Sequence, residues 1–160
     1  MEETVWLDNA GNRYDLKKIN EILTNHVVMS DKKIHIGSDS HRGRKCKNIA
    51  IATAICLWND EIKNGGWYCF NRSYVSKKDL PTLYDRLFFE VQTSVEIAQY
   101  LRDVLGYAVE AVHVNVNPNE SELSSKYATQ FKGYVESCGF KCNLKPDDWA
   151  AGGVADKHAR

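Results

Sequence analysis

The sequence predicts an α/β protein in which helices flank a five-stranded mixed sheet. Three consecutive segments show the alternation expected of strands and are joined by short turns, which is typical of an antiparallel meander. Two later strand segments each follow a helical pattern, which is typical of parallel crossover connections. The predicted order is three strands, helix, strand, helix, strand and helix, behind an N-terminal extension.

Length and composition indicate one folded domain preceded by a short extension. The chain has 160 residues, of which 43% are hydrophobic and 26% are charged, so we expect a globular core. We place the extension, with a short helix packed on the domain, at residues 1–30, and the domain itself at residues 31–160. Inside the extension, a turn at "NAGN" separates an extended piece from a helix predicted over 15–27.

Charge and hydropathy exclude several classes of protein. The 21 basic and 21 acidic residues give a formal charge of zero, so any site for a polyanion must be a local patch. The longest apolar run, "IAIATAICLW", is too short to span a bilayer, and the acidic N-terminus is unlike a signal peptide. Five cysteines without a CxxC pair predict free thiols in a reducing compartment. We therefore expect a soluble cytoplasmic protein without a membrane partner.

The three meander strands are predicted at 33–39, 48–57 and 67–74. In the first, Ile34 and Ile36 alternate as in a half-buried strand. The second, "NIAIATAICL", is apolar on both faces, with isoleucines on one and mainly alanines on the other. This pattern predicts a central strand covered on both sides, and the small side chains would let another element approach closely. The third, "WYCFNRSY", is aromatic.

The second half of the chain alternates helices and strands. Pro81 is typical of a helix start, and the residues that follow it keep apolar helical spacing through Leu105. A strand is predicted at 109–117 and a helix at 121–137, with Gly139 at the expected C-terminal cap. A short strand at 140–145 follows, and Pro146 separates it from a terminal helix over 149–159.

A glutamate interrupts the apolar face of the long helix. At 100° per residue, Glu90 lies only about 20° from Leu83, in the middle of the apolar stripe. A carboxylate on a packed face costs several kcal/mol if it is ionised and unpaired. One interpretation is a salt bridge to a buried Arg or Lys, or a helix rolled far enough to expose the group. The other is a functional carboxylate.

Further polar residues favour the functional interpretation. Asp39 ends the first meander strand, and Asn115 lies on the fourth strand. If these strands are parallel neighbours, both side chains emerge at the same edge, where ligand sites of open sheets are found. Asp156 in the terminal helix is a fourth candidate. Converging carboxylates repel each other without a cation, and Mg²⁺ prefers such oxygen ligands. The pattern predicts a metal-dependent phosphoryl-transfer site.

Several stretches in their order and spacing resemble the ribonuclease H-like superfamily. They are "IGSDSH", "RLFFEVQTSVEIA", "HVNVNPNESELSSKY" and "GYVESCGFKCNLKPDDWAAGGVADKHAR". Within the superfamily, the chain is most similar to a small bacterial and phage family once known only as a domain of unknown function. The resemblance covers roughly residues 14 to 160. It implies a ribonuclease H-like fold, with three antiparallel strands before two parallel ones.

The resemblance also implies the roles of the candidate residues. Asp39, Glu90, Asn115 and Asp156 would form the catalytic site and hold one or two Mg²⁺ or Mn²⁺ ions. The position of Asn115 is usually an aspartate in an "H-x-D" context, and an amide oxygen can coordinate a cation but brings neither charge nor a base. Three outcomes stay open: a weaker second metal, substitution by Asp148 or Glu120, or loss of catalysis.

Other side chains are candidates for proton transfer and for contact with nucleic acid. The histidines are His41, His113 and His158, each also typical of a hydrogen-bonded structural or surface residue. The cations are Arg42, Arg44, Lys45, Lys47, Lys145 and Lys157. Such a basic set can bind phosphates, and the turn "HRGRKCK" is equally typical of a solvated loop.

Two functional hypotheses follow. The first is a metal-dependent nuclease that binds DNA, RNA or a hybrid and cleaves its phosphodiester bonds. The second is a catalytically weakened or inactive module that keeps the fold and binds nucleic acid or protein. Asn115 and the neutral overall charge favour the second, whereas Glu90 on an apolar stripe favours a working site.

Overall fold

A computed structural model describes residues 4–61, 66–119 and 123–160. Its strands form one seven-stranded mixed sheet in the order β2-β1-β5-β4-β3-β6-β7. The strands are β1 Trp6–Leu7, β2 Arg13–Tyr14, β3 Lys33–Arg42, β4 Asn48–Trp58, β5 Trp67–Ser76, β6 Val109–His113 and β7 Cys142–Asn143. The predicted mixed α/β fold is confirmed, with β3, β4 and β5 antiparallel and β6 and β7 parallel to β3.

Four helices and two π-helical segments complete the fold. The α-helices are α1 Leu16–Leu23, α2 Leu83–Asp103, α3 Ser125–Ser137 and α4 Asp156–Ala159. A π-helical turn, Thr24–Val28, extends α1, and a π-helical segment, Trp149–Ala155, runs directly into α4. The N-terminus of α2 is fixed by a capping box between Thr82 and Asp85, because each side chain bonds the backbone of the other residue.

The sheet has seven strands rather than the five predicted, because the N-terminal extension adds the short strands β1 and β2. Strands β1 and β2 pair with each other, and Leu7 of β1 pairs with Phe70 of β5. Strands of two residues are too short to show a period in sequence, which explains why the pattern missed them.

Several predicted boundaries also differ from the observed ones. The fourth strand ends at His113 rather than 117, since its last pairing with β3 joins Gly37 to His113. Helix α3 begins at Ser125 rather than at 121, a position outside the described residues. The last strand is only Cys142–Asn143, and the predicted terminal helix is mostly π-helical.

The sheet is covered on both faces, and the two faces differ in side-chain size. Ile55 and Leu57 of β4 belong to the main core, together with the buried side of α2. Ala54 and Cys56, on the other face, pack against Ala150 and Ala155. The close approach expected on the small-residue face of β4 is therefore confirmed, and the π-helical segment is the element that makes it.

Gly37 lets the π-helical segment lie directly on β3. A Cβ atom at Gly37 would stand 2.4 Å from the backbone nitrogen of Ala151, far inside normal contact. This approach places the segment and α4 over the part of β3 that carries Asp39. Among the helices in the described part of the chain, none has the length and apolar character to cross a membrane.

Candidate active site beyond the end of strand β6

Strand β3 runs past the end of its parallel neighbour. Its pairing with β6 stops at Gly37, whereas its pairing with β4 continues to Arg42. Asp39 therefore lies two residues beyond the last residue pair that β3 shares with β6. The chain leaving β6 carries Asn115 to the same place.

Asp39 is buried and is oriented by two hydrogen bonds to one carboxylate oxygen. Its Oδ1 atom accepts the backbone N–H of Ser40 and the amide Nδ2–H of Asn115, each at 2.9 Å. Burial, followed by a hydrogen bond with Asp156, raises the pKa of Asp39 to about 6. The carboxyl group is thus poised to titrate near neutral pH.

Glu90 lies on the buried face of α2, as its helical position predicted. Its Oε2 atom accepts the hydroxyl of Ser40 at 3.0 Å, and its Oε1 atom is buried with no hydrogen-bond partner in the described residues. Burial, followed by the negative charge of Asp39, raises the pKa of Glu90 well above its ordinary value.

The salt-bridge interpretation of Glu90 is not supported. Arg86 lies one helical turn away and lowers the pKa of Glu90 slightly through its charge, but desolvation is the larger effect. No ion pair involving Glu90 exists among residues 4–61, 66–119 and 123–160. The carboxyl group is therefore held by a serine and by another carboxyl group.

Asp156 begins α4 and completes the group of three carboxyls. Partial burial acts to raise its pKa, but the hydrogen bond with Asp39 and the guanidinium of Arg160 lower it below the ordinary value. Two guanidinium nitrogens of Arg160 lie 3.3 Å from the two carboxylate oxygens of Asp156. The pKa values of Asp39 and Asp156 are thus shifted in opposite directions, because Asp39 is more deeply buried and Asp156 pairs with Arg160.

A buried hydroxyl network fastens α2 to the sheet beside these carboxyls. Ser38 lies 2.8 Å from Thr53 and 2.6 Å from Ser94, oxygen to oxygen. Ser38 precedes Asp39, and Ser94 lies one helical turn after Glu90. The network therefore sets the distance between the strand that carries Asp39 and the helix that carries Glu90.

Unpartnered oxygens at this site match the chemistry of a hard cation. Glu90 Oε1, Asn115 Oδ1 and Asp148 Oδ2 are buried and accept no hydrogen bond from the described chain. Buried polar atoms without partners are rare, and carboxylate and amide oxygens are the ligands that Mg²⁺ and Mn²⁺ prefer. Across 4–61, 66–119 and 123–160, however, no three His, Cys, Asp or Glu side chains are already grouped to ligate one ion.

A polar cavity of about 410 Å³ opens on the site. Its lining includes Asp39, Asn115, Asp148, Asp156, Lys145 and Arg160. Glu90 does not line it and joins the site through Ser40 and Asp39. Four acidic or amide side chains and two cations therefore face one concave surface, which suits a phosphate-bearing ligand bound together with a cation.

The three candidate histidines have different surroundings. His113 is fully buried, accepts the backbone N–H of Ala150 on Nδ1 and contacts His35 through Nε2. His158 stacks on Phe70 at 3.7 Å and bonds the hydroxyl of Tyr68. His41 is exposed and lines a second cavity next to the site. Of the three, His41 is the most exposed and His113 the most buried.

The basic candidates also differ in their surroundings: some line a cavity and others do not. Lys145 lines the site cavity, and Lys47 lines the second cavity, of about 360 Å³, to which Arg160 also contributes. Arg42 at the end of β3 is exposed, as are Arg44 and Lys45 on the turn that follows. Lys157 instead donates to Asn9 Oδ1 at 3.4 Å in the N-terminal extension.

Some site residues were not foreseen. Arg160 lies four residues after Asp156, a spacing that could have predicted the ion pair on a helix. Ser40, which bonds both Asp39 and Glu90, has no such pattern, because its role depends on α2 packing over β3. Of the two proposed substitutes for the missing aspartate, Asp148 lines the cavity, and Glu120 lies outside the described residues.

Comparison with known proteins gives one match. A family model described as ribonuclease H-like matches residues 16–160, which is most of the chain. No curated protein and no solved structure matches the chain significantly.

Proposed function

The chain belongs to the ribonuclease H-like family, and we propose on that basis that it is a metal-dependent nuclease that hydrolyses phosphodiester bonds of nucleic acid. One observation supports this above the others: Glu90 of α2 and Asp156 of α4 each interact with Asp39 of β3, although burial opposes the ionisation of all three carboxyl groups. Such an arrangement costs stability at neutral pH, and a divalent cation would offset that cost.

The ligands would come from four elements of the fold. Asp39, Glu90, Asp156 and the amide oxygen of Asn115 would hold one or two Mg²⁺ or Mn²⁺ ions. When bound, such ions activate a water molecule and stabilise the leaving oxygen in phosphodiester hydrolysis.

The remaining polar residues would orient the ligands and the substrate. Ser40 holds Asp39 through its backbone and Glu90 through its hydroxyl, so one residue fixes both carboxyl groups. Lys145 and Arg160 line the cavity and would contact the phosphates on either side of the cleaved bond. His41, which is exposed and lines the second cavity, would be the histidine that moves protons.

A second candidate function is a module that binds nucleic acid without cleaving it. The hydrogen bond from Asn115 Nδ2–H to Asp39 Oδ1 favours this alternative. It occupies one oxygen of the central carboxylate with an amide donor, where an aspartate would bring another negative charge. The cavity and its cations would still serve binding.

A nuclease assay distinguishes the two functions. Single-stranded, double-stranded and hybrid substrates are incubated with Mg²⁺ or Mn²⁺, and wild type is compared with Asp39→Asn and Asn115→Asp. The nuclease proposal expects cleavage by wild type and its loss in Asp39→Asn. An inert wild type together with an active Asn115→Asp would establish the binding module. Equal cleavage by wild type and Asp39→Asn would refute the site.

A further inference from the structure

Asp148 is a buried carboxylate that the ligand set above does not use. The residue is only 5% exposed, and its Oδ2 atom accepts no hydrogen bond within the described part of the chain. Asp148 precedes the π-helical segment Trp149–Ala155, yet its side chain does not cap it. An unpartnered buried carboxylate is costly, and helix capping does not account for this one.

Gly152 leaves the space in which this carboxylate lies. A Cβ atom at Gly152 would stand 2.7 Å from Oδ2 of Asp148, which is closer than normal contact. Gly153, the next residue, has no atom within 4 Å of an equivalent Cβ. Two adjacent glycines of one segment therefore differ in a single respect: only the first makes room for Asp148.

The position of Asp148 relates it to the other carboxyls. Asp148 and Gly152 line the same cavity as Asp39, Asn115 and Asp156. Lys145 also lines that cavity, but it forms no ion pair with Asp148 among the described residues. The carboxylate thus lies at the candidate cation site without an ion pair among the described residues. Burial raises its pKa, although the nearby charge of Lys145 acts to lower it.

We propose that Asp148 is an additional ligand of the divalent cation and supplies the negative charge that Asn115 does not bring. Gly152 is a positioning residue, because its lack of a side chain keeps the Asp148 carboxylate in the cavity. This inference rests on the proposed function, since it requires a cation at the site. Carboxylate number strongly affects the affinity of oxygen sites for divalent cations.

Direct measurement of Mn²⁺ binding tests the role of Asp148. Isothermal titration calorimetry on the full chain compares wild type with Asp148→Asn and with Asp147→Asn, which removes an exposed neighbouring carboxylate. We expect Asp148→Asn to weaken Mn²⁺ binding by about tenfold or more, and Asp147→Asn to leave it within about twofold. Circular dichroism melting of each variant verifies that it is folded.

The glycine pair tests the same point without changing any charge. Gly152→Ala would displace the Asp148 carboxylate, whereas Gly153→Ala would project into open space. We expect weaker Mn²⁺ binding in Gly152→Ala only. This pair also carries the test if Asp148→Asn does not fold, because alanine suits a helical segment.

Rescue separates ligation from a structural effect. If Asp148 replaces the missing aspartate, Asn115→Asp should restore Mn²⁺ affinity in the Asp148→Asn background. Failure of this rescue, or unchanged Mn²⁺ binding in Asp148→Asn and Gly152→Ala, would overturn the inference.

The controls distinguish this failure from failure of the proposed function. If wild type binds Mn²⁺, Asp39→Asn abolishes the binding and Asp148→Asn preserves it, the metal site stands and only the role of Asp148 is refuted. If wild type binds no Mn²⁺, or Asp39→Asn binds it as well as wild type, the metal site itself is refuted, and the role of Asp148 with it.

Discussion

Two pairs of polar side chains join β3 to the chain of β6, and they differ in how many of their polar atoms have hydrogen-bond partners. His35 Nδ1 lies 3.0 Å from His113 Nε2, and Asp39 Oδ1 lies 2.9 Å from Asn115 Nδ2. Asp39 follows His35 by four residues on β3, and Asn115 follows His113 by two on the chain of β6. They therefore share one face of the sheet, under the same π-helical segment.

In the pair of His35 and His113, both ring nitrogens of His113 have hydrogen-bond partners. Ala150 N–H donates to Nδ1 of His113, so the proton of the neutral ring lies on Nε2, which donates to His35. Trp149 packs on both rings at centroid distances of 4.7 and 4.8 Å. Burial lowers the pKa of His113 to about 3, so the pair is neutral at pH 7 without any ligand.

In the pair of Asp39 and Asn115, by comparison, not every polar atom has a hydrogen-bond partner among the described residues. Burial also favours the neutral form here, but a carboxyl is ordinarily charged at pH 7, and the pKa of Asp39 is raised only to about 6. Oxygens of Asn115 and of nearby Glu90 have no hydrogen-bond partner in the described chain. One pair thus stabilises the fold as it stands, whereas the other sacrifices stability in a way that a cation would relieve.

The largest expected effect comes from a substitution in the carboxyl region, meaning Asp39, Asn115 and nearby Glu90, that preserves the fold. Glu90→Gln keeps the shape of a buried side chain and removes its charge, so cleavage should fall by about a hundredfold or more, which corresponds to at least about 2.7 kcal/mol. The melting temperature without metal should stay equal or rise, because the variant has one buried carboxyl group fewer. Nuclease rates and circular dichroism melting in EDTA measure the two effects.

Glu96→Gln is the matched control for this substitution. Glu96 lies on the same helix but is exposed, so the same change of side chain should alter neither cleavage nor melting. A loss of stability in Glu90→Gln as large as its loss of activity would mean that Glu90 is a structural residue.

The next largest effect comes from a substitution in the histidine region, meaning His35 and His113, and it lowers stability. His113→Ala leaves a cavity between His35 and Trp149 and removes the acceptor of Ala150 N–H, so unfolding free energy should fall by about 3 kcal/mol. Urea denaturation measures it, with exposed His41→Ala as the control, expected to change stability by less than about 0.5 kcal/mol. A cost below about 1 kcal/mol for His113→Ala would remove the contrast between the two regions.

The sequence predicts the carboxyl region better than the histidine region. Glu90 is conspicuous because a 21-residue helix has enough turns for one misplaced charge to be evident. The meeting of Asp39 with Asn115 follows from strand alternation together with the parallel crossover. Those rules do not distinguish a buried, bonded His113 from a catalytic one, because the distinction depends on Ala150, which arrives from a distant segment.

That distant segment explains most of what the pattern missed. Residues 149–155 were predicted as an ordinary helix, yet they form a π-helical segment whose path depends on Gly37 and on the small side chains of β4. Packing between distant elements of this kind produces no periodic pattern in the sequence. The burial of Asp148 and the partner of His113 both depend on that packing, so neither could be read before the structure.

The smallest expected effect compares the two regions by their opposite dependence on pH. The raised pKa of Asp39 gives stability that is present below its unfolded value of 3.8 and is lost as pH rises through about 6. The lowered pKa of His113 gives stability that is present above 6.5 and is lost as pH falls toward about 3. Between about pH 4 and 6 the two contributions therefore oppose each other in the metal-free protein.

Asp39→Asn removes the contribution of Asp39 to the pH dependence of stability, so that the contribution of His113 is no longer opposed. Across that interval the variant should gain unfolding free energy with rising pH more steeply than wild type, by up to about 1.4 kcal/mol per pH unit. Urea denaturation in EDTA at several pH values measures the slopes, and exposed Asp147→Asn should run parallel to wild type. Parallel curves for wild type and Asp39→Asn would show that the fold does not hold Asp39 protonated. The difference between the carboxyl and histidine regions would then lie in their hydrogen bonds alone.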